Sequence, residues 1–310
     1  MSKPLISIVL LTYSRPSELK RNIDGLTSIK YHRKEIIVVD NASNVPAADV
    51  IKSACVDIVR CDENLGVAGR NVGILRCTGD IIVTLDDDVF GFDDIAIEHL
   101  VRVFDELEDV AAINFKVVDD VTEGQMNWIH HRRIEEYGNC SFDTYEISEG
   151  AVAFRRSDLL KTSLYPDYYF ISHEGPDLAL QIIKMGGRII YFPQIVVRHA
   201  HSSGGRVSWR RYYYDARNQI WLAIRHYPFF MALRKLFLGL SALFVYSVRD
   251  GYGRYFCKAV LHAIMSIRRP LKERSPIEGF ALIRYKEIEK ENAGFLYMIK
   301  KRLFAKEVKI

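Results

Sequence analysis

Cysteine is scarce in this chain and follows no pairing pattern. The 310 residues include five cysteines, none of them in a CxxC arrangement, and their odd number leaves at least one without a disulfide partner. Disulfide frameworks and zinc sites both require regular cysteine spacing. The sequence therefore predicts a reduced, cytoplasmic chain.

Long hydrophobic runs are also missing. The amino-terminal run covers seven residues, Leu5 to Leu11, and lacks a small-residue cleavage site, so it predicts a first strand and not a signal peptide. The longest apolar stretch near the carboxyl terminus, Leu236 to Val248, has thirteen residues and is too short to span a bilayer. Internal repeats and low-complexity tracts are absent from the sequence.

The charge is distributed unevenly along the chain. Residues 1–197 carry 20 basic against 31 acidic residues, a net of −11, whereas residues 198–310 carry 23 against 8, a net of +15. A basic segment of this kind indicates an anionic partner. Nucleic acid is disfavoured, because the segment has no zinc-finger spacing or RNA-binding signature and mixes its charges with apolar stretches.

The segment from Val207 onward is helical, aromatic and basic in pattern. Lys and Arg interleaved with Phe, Trp, Tyr and Leu are typical of helices in a membrane interface. The alternative is a set of ordinary helices that pack on the core. We predict a main domain over residues 1–206 and a helical, membrane-associating region over residues 207–310.

The first half alternates apolar strands with helical patterns. The predicted elements are strands at Ile6–Thr12, Glu35–Asp40, Val56–Arg60 and Ile81–Leu85, and a helix from Pro16 to about Ile29 with Ser14 as its N-cap. Strands that are apolar throughout and separated by helices indicate a parallel sheet covered on both faces. This architecture is typical of nucleotide-binding α/β proteins.

Three adjacent carboxylates, Asp86, Asp87 and Asp88, end the fourth predicted strand. They repel one another unless solvent or a cation neutralises them, and open α/β sheets bind ligands at this end of their strands. A divalent cation carrying phosphate oxygens would suit them, and a solvated acidic turn is the alternative. A calcium loop is excluded, because Phe90 and Ile97 occupy positions that need oxygen ligands.

Four segments together resemble the family 2 glycosyltransferases, an inverting group with the glycosyltransferase-A fold. They are TYSRP after the first strand, VVDNAS, NLGVAGRNVGI followed by LDDD, and HEGPDLALQIIKMGGRIIYFP with its trailing histidine. The resemblance covers roughly residues 5–220 and depends on the order and spacing of the segments. It implies an α/β fold with a mostly parallel nucleotide-binding sheet flanked by helices, a catalytic domain over 1–206 and a helical basic extension.

The resemblance implies a set of donor-binding residues in the amino-terminal half. Asp40 is similar to the aspartate that accepts a hydrogen bond from the nucleotide base, and Thr12 and Arg15 border the same pocket. A turn-forming role is the alternative for Asp40. Arg70 resembles the basic residue near base or diphosphate. Its alternative is a solvated arginine at a helix start, although a cation is unfavourable there.

The same resemblance assigns the aspartate triplet and a late histidine. Asp86 would bind ribose or metal-bound water, Asp87 joins the donor-binding set, and Asp88 would coordinate a divalent metal, Mn²⁺ or Mg²⁺, that bridges the two phosphates. His199 is similar to the family's metal-ligating histidine, with His201 as the substitute. A structural role is the alternative for a single histidine.

The catalytic segment departs from the family pattern. The family usually shows Glu-Asp-x-Asp, with the first Asp as base, whereas this chain reads Glu174, Gly175, Pro176, Asp177. Glu174 is the favoured substitute base, and Asp177 is the second candidate. Asp177 could instead compensate the charge of a helix amino terminus, and loss of catalysis is a further alternative.

Acceptor-side residues are implied near an irregular stretch over 117–149. Gly150 would allow close approach of the sugar. Trp128, His130 and His131 could stack on or hydrogen-bond the acceptor, although core packing is the alternative for Trp128.

These features together predict a metal-dependent inverting glycosyltransferase of bacterial surface-polysaccharide synthesis. It would move a hexosyl or deoxyhexosyl group from a UDP- or dTDP-sugar to a lipid-linked or surface-glycan acceptor, at the cytoplasmic face of the cell membrane. One alternative is a non-catalytic nucleotide-sugar-binding subunit. A sugar nucleotidyltransferase is disfavoured, because no glycine-rich loop follows the first strand.

Overall fold

The computed structural model describes residues 3–126, 128–200, 208–294 and Tyr297. Its strands are β1 (Ile6–Thr12), β2 (Lys34–Asp40), β3 (Val56–Arg60), β4 (Ile81–Asp86), β5 (Val89–Phe90), β6 (Val110–Asp119), β7 (Phe142–Asp143), β8 (Ala151–Arg155) and β9 (Arg188–His199). Its α-helices are α1 (Pro16–Ser28), α2 (Ala47–Val50), α3 (Gly69–Ile74), α4 (Asp94–Glu106), α5 (Ile134–Tyr137), α6 (Arg156–Leu159), α7 (Glu174–Lys184), α8 (Ser208–His226), α9 (Phe229–Arg249), α10 (Gly253–Met265), α11 (Arg268–Lys272) and α12 (Gly279–Lys290). A 3₁₀ turn at Gly66–Ala68 precedes α3.

The described strands form one sheet with the order β3-β2-β1-β4-β8-β6-β9-β5, and β7 pairs with β9. Strands β1 to β4 are parallel, as the apolar strands and intervening helices predict. Strand β8 runs antiparallel to both β4 and β6. Strands β6 and β9 form a further parallel pair, and β5 and β7 each pair antiparallel with β9. The predicted α/β class with a mostly parallel sheet is therefore confirmed.

Each face of the sheet has its own hydrophobic core. Ile6, Ile8 and Leu10 of β1 pack on the side of α1 and α4. Val9 points to the other side, where side chains of α3, α7, α8 and α12 cover the sheet. Burial on both faces explains why these strands are continuous apolar runs and not alternating ones.

The predicted N-cap of α1 is wrong by one residue. Arg15 is the residue that precedes the helix, and Pro16 occupies its first position. Ser14 instead adopts a positive φ of 56°. Its backbone N–H donates to Ser43 Oγ at 2.9 Å, and its hydroxyl accepts the N–H of Asn44 at 3.1 Å. Ser14 thus links the loop that follows β1 to the loop that follows β2 through these two hydrogen bonds.

The carboxyl-terminal helices share a core with the sheet. Ile277 and Tyr285 are fully buried in the cluster that also holds Val9 and Leu178. Helices α8 and α12 therefore pack on the core, as the alternative to a membrane-interface role predicts. Helix α9 differs, because large apolar side chains along it face solvent, among them Phe230 at 83% and Phe237 at 73% exposure.

The length of α9 corrects the expectation that no carboxyl-terminal segment could cross a bilayer. Its 21 residues, with a mean hydropathy of 1.6 over the most apolar window and 6% of that window buried, suffice by length and composition. The uninterrupted apolar run that begins at Leu236 covers only part of the helix. The helix begins earlier, at Phe229, and includes Arg234 and Lys235.

Candidate active site

The aspartate triplet lies where β4 meets the carboxyl end of β1. Asp87 and Asp88 are each 3% exposed. The Thr12 hydroxyl donates to Asp87 Oδ2 at 2.7 Å, and Arg15 donates to both Asp87 and Asp88. Burial raises the pKa of Asp87 to about 6, against the opposing effects of Arg15 and Thr12. Asp87 and Asp88 are therefore buried and partly neutralised by the guanidinium of Arg15, and only Asp86, whose side chain is 38% exposed, keeps contact with solvent. The triplet as a whole is not a solvated turn.

Asp88 and His199 come together across the β5–β9 pair. Val89 is the register partner of His199, and His199 Nε2 lies 3.3 Å from Asp88 Oδ1. Burial favours the protonated form of Asp88, but the hydrogen bond and charge of His199, together with Arg15, hold its pKa below the ordinary value. Burial lowers the pKa of His199, and the bond to Asp88 outweighs it so that the pKa is raised.

Arg70 approaches the triplet from the other side. Its guanidinium is buried and donates to Asp86. The backbone N–H of Asp86 donates to the carbonyl of Gly150 at 3.1 Å. A Cβ on residue 150 would lie 2.2 Å from Asp86 Oδ2, so a glycine is required for the Asp86 carboxylate to occupy this place. The sequence predicts separate roles for Arg70, Asp86 and Gly150, and the fold brings the three residues into contact.

Asp40 lies at the end of β2 and is 1% exposed. Its carboxylate accepts the backbone N–H groups of Ser43 at 2.8 Å and Ala47 at 3.0 Å, and the side chain of Arg60. Burial favours protonation, yet these donors hold the pKa of Asp40 below its ordinary value. These bonds are those of the turn-forming alternative, and contact with a nucleotide base stays a prediction.

Asp88 and His199 suit a divalent cation chemically, since carboxylate and imidazole are both ligands of Mn²⁺-type metals. In the part of the chain that the structure describes, no group of three or more His, Cys, Asp or Glu side chains could hold a metal. Two protein ligands would leave the remaining positions to phosphate oxygens and water, as is common for such ions. His201 lies outside the described residues.

The two predicted catalytic carboxylates occupy different surroundings. Glu174 is the first residue of α7 and is 4% exposed. Asp177 has no exposed surface: Arg225 donates to it, Gln181 donates at 2.8 Å, and His226 Nε2 lies 3.0 Å away. This network ties α7 to α8. It gives Asp177 a structural role, and its catalytic role stays an unsupported prediction.

Trp128 and its neighbours form an aromatic cluster. The Trp128 ring packs edge-on against His130 and Tyr191, with centroids 4.9 and 5.3 Å away, and its Nε1 donates to the carbonyl of Arg132 at 2.8 Å. Burial, with the charges of His131 and Arg132, lowers the pKa of His130 to about 3. These contacts match the packing alternative, and acceptor binding by Trp128 stays a prediction.

One carboxylate beside the site has no counterpart among the sequence predictions. Glu149 is half-buried and directly precedes Gly150. Burial raises its pKa to about 7, although the backbone N–H of Gly175 and the charge of Arg70 act in the opposite direction. The only signal in the sequence was its position directly before Gly150, which the resemblance places on the acceptor side.

Comparisons with known proteins agree on one class. Residues 7–162 match the family described as Glycosyl transferase family 2. The chain is 25% identical over 225 residues to the O-antigen chain rhamnosyltransferase RfbN of Salmonella typhimurium, which covers 67% of this chain and 70% of that protein. It is 24% identical over 279 residues to the pre-mycofactocin glycosyltransferase of Mycobacterium tuberculosis, covering 85% of this chain and 57% of that one.

Two solved structures share the fold. The mannosyltransferase PcManGT from Pyrobaculum calidifontis, in complex with GDP-Man and Mn²⁺, aligns with a TM-score of 0.53 and 15% identity over 99% of this chain and 89% of that one. GalNAc-T7 with UDP, GalNAc and Mn²⁺ aligns with a TM-score of 0.54 and 14% identity over 70% of this chain and 51% of that one. At these identities the likeness concerns the fold alone.

Proposed function

The chain belongs to glycosyl transferase family 2 and has the glycosyltransferase-A fold, and we propose that it is a metal-dependent, inverting transferase of surface-polysaccharide synthesis. As a member of this family it is a glycosyltransferase that uses a nucleotide-sugar donor. We propose a UDP- or dTDP-linked donor and a lipid-linked or surface-glycan acceptor. The similarity to an O-antigen chain rhamnosyltransferase supports the surface-glycan part of the proposal.

The main observation in support of the proposed donor site is that two arginines contact the aspartate triplet. Arg15 contacts Asp87 and Asp88, and Arg70 contacts Asp86. Guanidinium groups form strong, directional hydrogen bonds with phosphate as well as with carboxylate. We propose that both cations orient the diphosphate when a donor enters.

Asp88 and His199 would hold the divalent metal. Bound there, the ion would supply positive charge to the diphosphate that leaves during transfer. The chain's own residues have three tasks: Arg15 and Arg70 orient the phosphates, Gly150 leaves room for Asp86, and a carboxylate takes a proton from the acceptor hydroxyl.

We further propose that α9, α10 and α12 attach the protein to the cytoplasmic face of the membrane. Their exposed apolar side chains are Phe229, Phe230, Leu233, Phe237, Leu238, Phe244, Val245 and Val248 of α9, Leu261, Ile264 and Met265 of α10, and Phe280 and Ile283 of α12. Arg254 and Lys258 are exposed on α10. Apolar burial plus basic charge is the combination that stable peripheral attachment needs.

A non-catalytic nucleotide-sugar-binding subunit is the second candidate. The observation that favours it is Gly175, which stands where the resemblance places the base. Such a subunit would bind the nucleotide and release no product.

Turnover separates these two functions. The protein is incubated with Mn²⁺, a panel of UDP-, dTDP- and GDP-sugars and a detergent extract of bacterial lipid-linked glycans, and release of nucleoside diphosphate is measured. We expect release with a UDP- or dTDP-sugar and a product of inverted anomeric configuration. Nucleotide binding without release for every donor would instead favour the binding subunit.

A further inference from the structure

Glu149 places a carboxylate between the donor aspartates and the start of α7. On the basis of the proposed function, we propose that Glu149 is the catalytic base that accepts the proton of the acceptor hydroxyl. It would perform the task for which the sequence offered Glu174 and Asp177. Three features of the structure support this assignment. They are the contact between Glu149 and Gly175, the hydrogen bonds that join the backbone at Glu149 to β4, and the surroundings of the other two candidate bases, Glu174 and Asp177.

The space beside Gly175 is already filled. A Cβ on residue 175 would lie 2.2 Å from Glu149 Oε1 and 2.3 Å from the carbonyl oxygen of Ile147. Contacts this short are not tolerated, and one of them involves the backbone. A side chain at position 175 would therefore force both the Glu149 side chain and the backbone at Ile147 to shift. The carboxylate that occupies the space comes from the segment before β8.

The backbone at Glu149 and Gly150 is hydrogen-bonded to β4, the strand that ends in the aspartate triplet. Its carbonyl accepts the hydroxyl of Thr84 at 2.7 Å, and the next carbonyl, that of Gly150, accepts the N–H of Asp86 at 3.1 Å. The charges of Arg70 and Asp86 are close enough to influence the Glu149 carboxylate. The side chain therefore lies next to Arg70 and Asp86, two of the residues that would bind the donor.

The rival carboxylates are less well placed for a base. Asp177 has no exposed surface and forms an ion pair with Arg225. Glu174 is 4% exposed within the first turn of α7. Glu149 is half-buried and so more exposed than either rival. Burial also raises the pKa of Glu149 to about 7, close to the value at which a base is most effective at neutral pH.

The step is balanced without any further reactant. The acceptor oxygen forms a bond to the anomeric carbon while its proton moves to the Glu149 carboxylate. The bond from the anomeric carbon to the phosphate oxygen breaks, and the nucleoside diphosphate leaves with the electron pair. Protonated Glu149 afterwards returns its proton to solvent.

The test compares E149Q and E174Q with the exposed control E98Q, using the donor that the panel identifies. We expect E149Q to lower kcat by about 10²–10⁴-fold, while the affinity for UDP or dTDP with Mn²⁺ changes by less than about twofold. E98Q should match the wild type. E149A, which leaves space for a small carboxylate, should recover part of its turnover in formate, a response that a merely structural role would not give.

Several outcomes would overturn the assignment. They are wild-type kcat in E149Q or E149A, absence of formate recovery in an E149A variant that still binds nucleotide, and a large loss of kcat in E174Q but not in E149Q. If only the assignment of Glu149 as the base is wrong, the wild type still turns over its donor, and the proposed function stands. If the wild type releases no nucleoside diphosphate from any donor, the proposed function fails and the role of Glu149 fails with it.

Discussion

Arg70 and Asp86 form an ion pair in which the cation is buried, with its side chain 3% exposed, and the carboxylate is 38% exposed. A buried guanidinium needs a permanent counter-charge. Asp86 provides it from the open side of the pair, where a donor phosphate could also reach. The pair would therefore form one wall of the proposed donor site before any ligand binds.

Arg70→Lys should weaken nucleotide binding by roughly tenfold, because an ammonium cannot replace the fork of a guanidinium towards phosphate. Calorimetric titration with UDP and dTDP in Mn²⁺ measures the effect. Arg76→Lys is the control, since Arg76 forms an ion pair with Asp57 in which each side chain is 50% exposed. Equal affinities in all three proteins would remove Arg70 from the donor site.

Asp177→Asn should lower the free energy of unfolding by up to about 3–5 kcal/mol, because it removes the buried counter-charge of Arg225 and leaves the partly exposed Glu273, 3.3 Å away, as the remaining anion. Urea unfolding measures the loss. The exposed Lys20–Asp24 pair provides the control, and Asp24→Asn should change stability by less than about 0.5 kcal/mol. A small effect of Asp177→Asn would mean that this network does not join α7 to α8.

Turnover should rise with pH through about 7, because Glu149, with a pKa raised to about 7 by burial, must be deprotonated to act as a base. The dependence is read from kcat/KM, and E98Q should give the wild-type curve. Constant kcat/KM across the neutral range would contradict a base of this pKa.

Replacing Phe230 and Phe237 together by serine should reduce binding to anionic phospholipid vesicles by about a hundredfold or more, since burial of each ring contributes about 1.5–3 kcal/mol. Sedimentation with vesicles measures the partition. Val121→Ser removes another exposed apolar side chain, 88% exposed and far along the chain, and should have no effect. Point substitutions are preferable to removal of residues after 228, because truncation would strip Ile277 and Tyr285 from the core.

Local patterns were sufficient to predict strands β1 to β4 of the sheet. Strand β1 begins and ends as its apolar run indicates, and the residues that follow β1 and β4 meet because parallel strands end at the same edge of the sheet. Each feature depends on short stretches of sequence, in which periodicity is informative.

Other parts of the site depend on contacts between distant segments. Glu149 fills the space at Gly175, and Arg225 pairs with Asp177 across 48 positions. Neither relationship leaves a periodic signal in the sequence. The replacement of the expected base by glycine could be seen from the spacing, whereas the carboxylate that fills its place could be found only in three dimensions.

The most direct measurement of the central claim is nucleotide titration of the wild type and Asp88→Ala, each with Mn²⁺ and with EDTA. If Asp88 holds a metal that carries the donor diphosphate, the wild type binds UDP or dTDP in Mn²⁺ and loses most of its affinity in EDTA. Asp88→Ala should bind weakly in both, and Asp24→Ala should behave as the wild type. Equal affinities for wild type and Asp88→Ala, with or without metal, would contradict the proposed donor site.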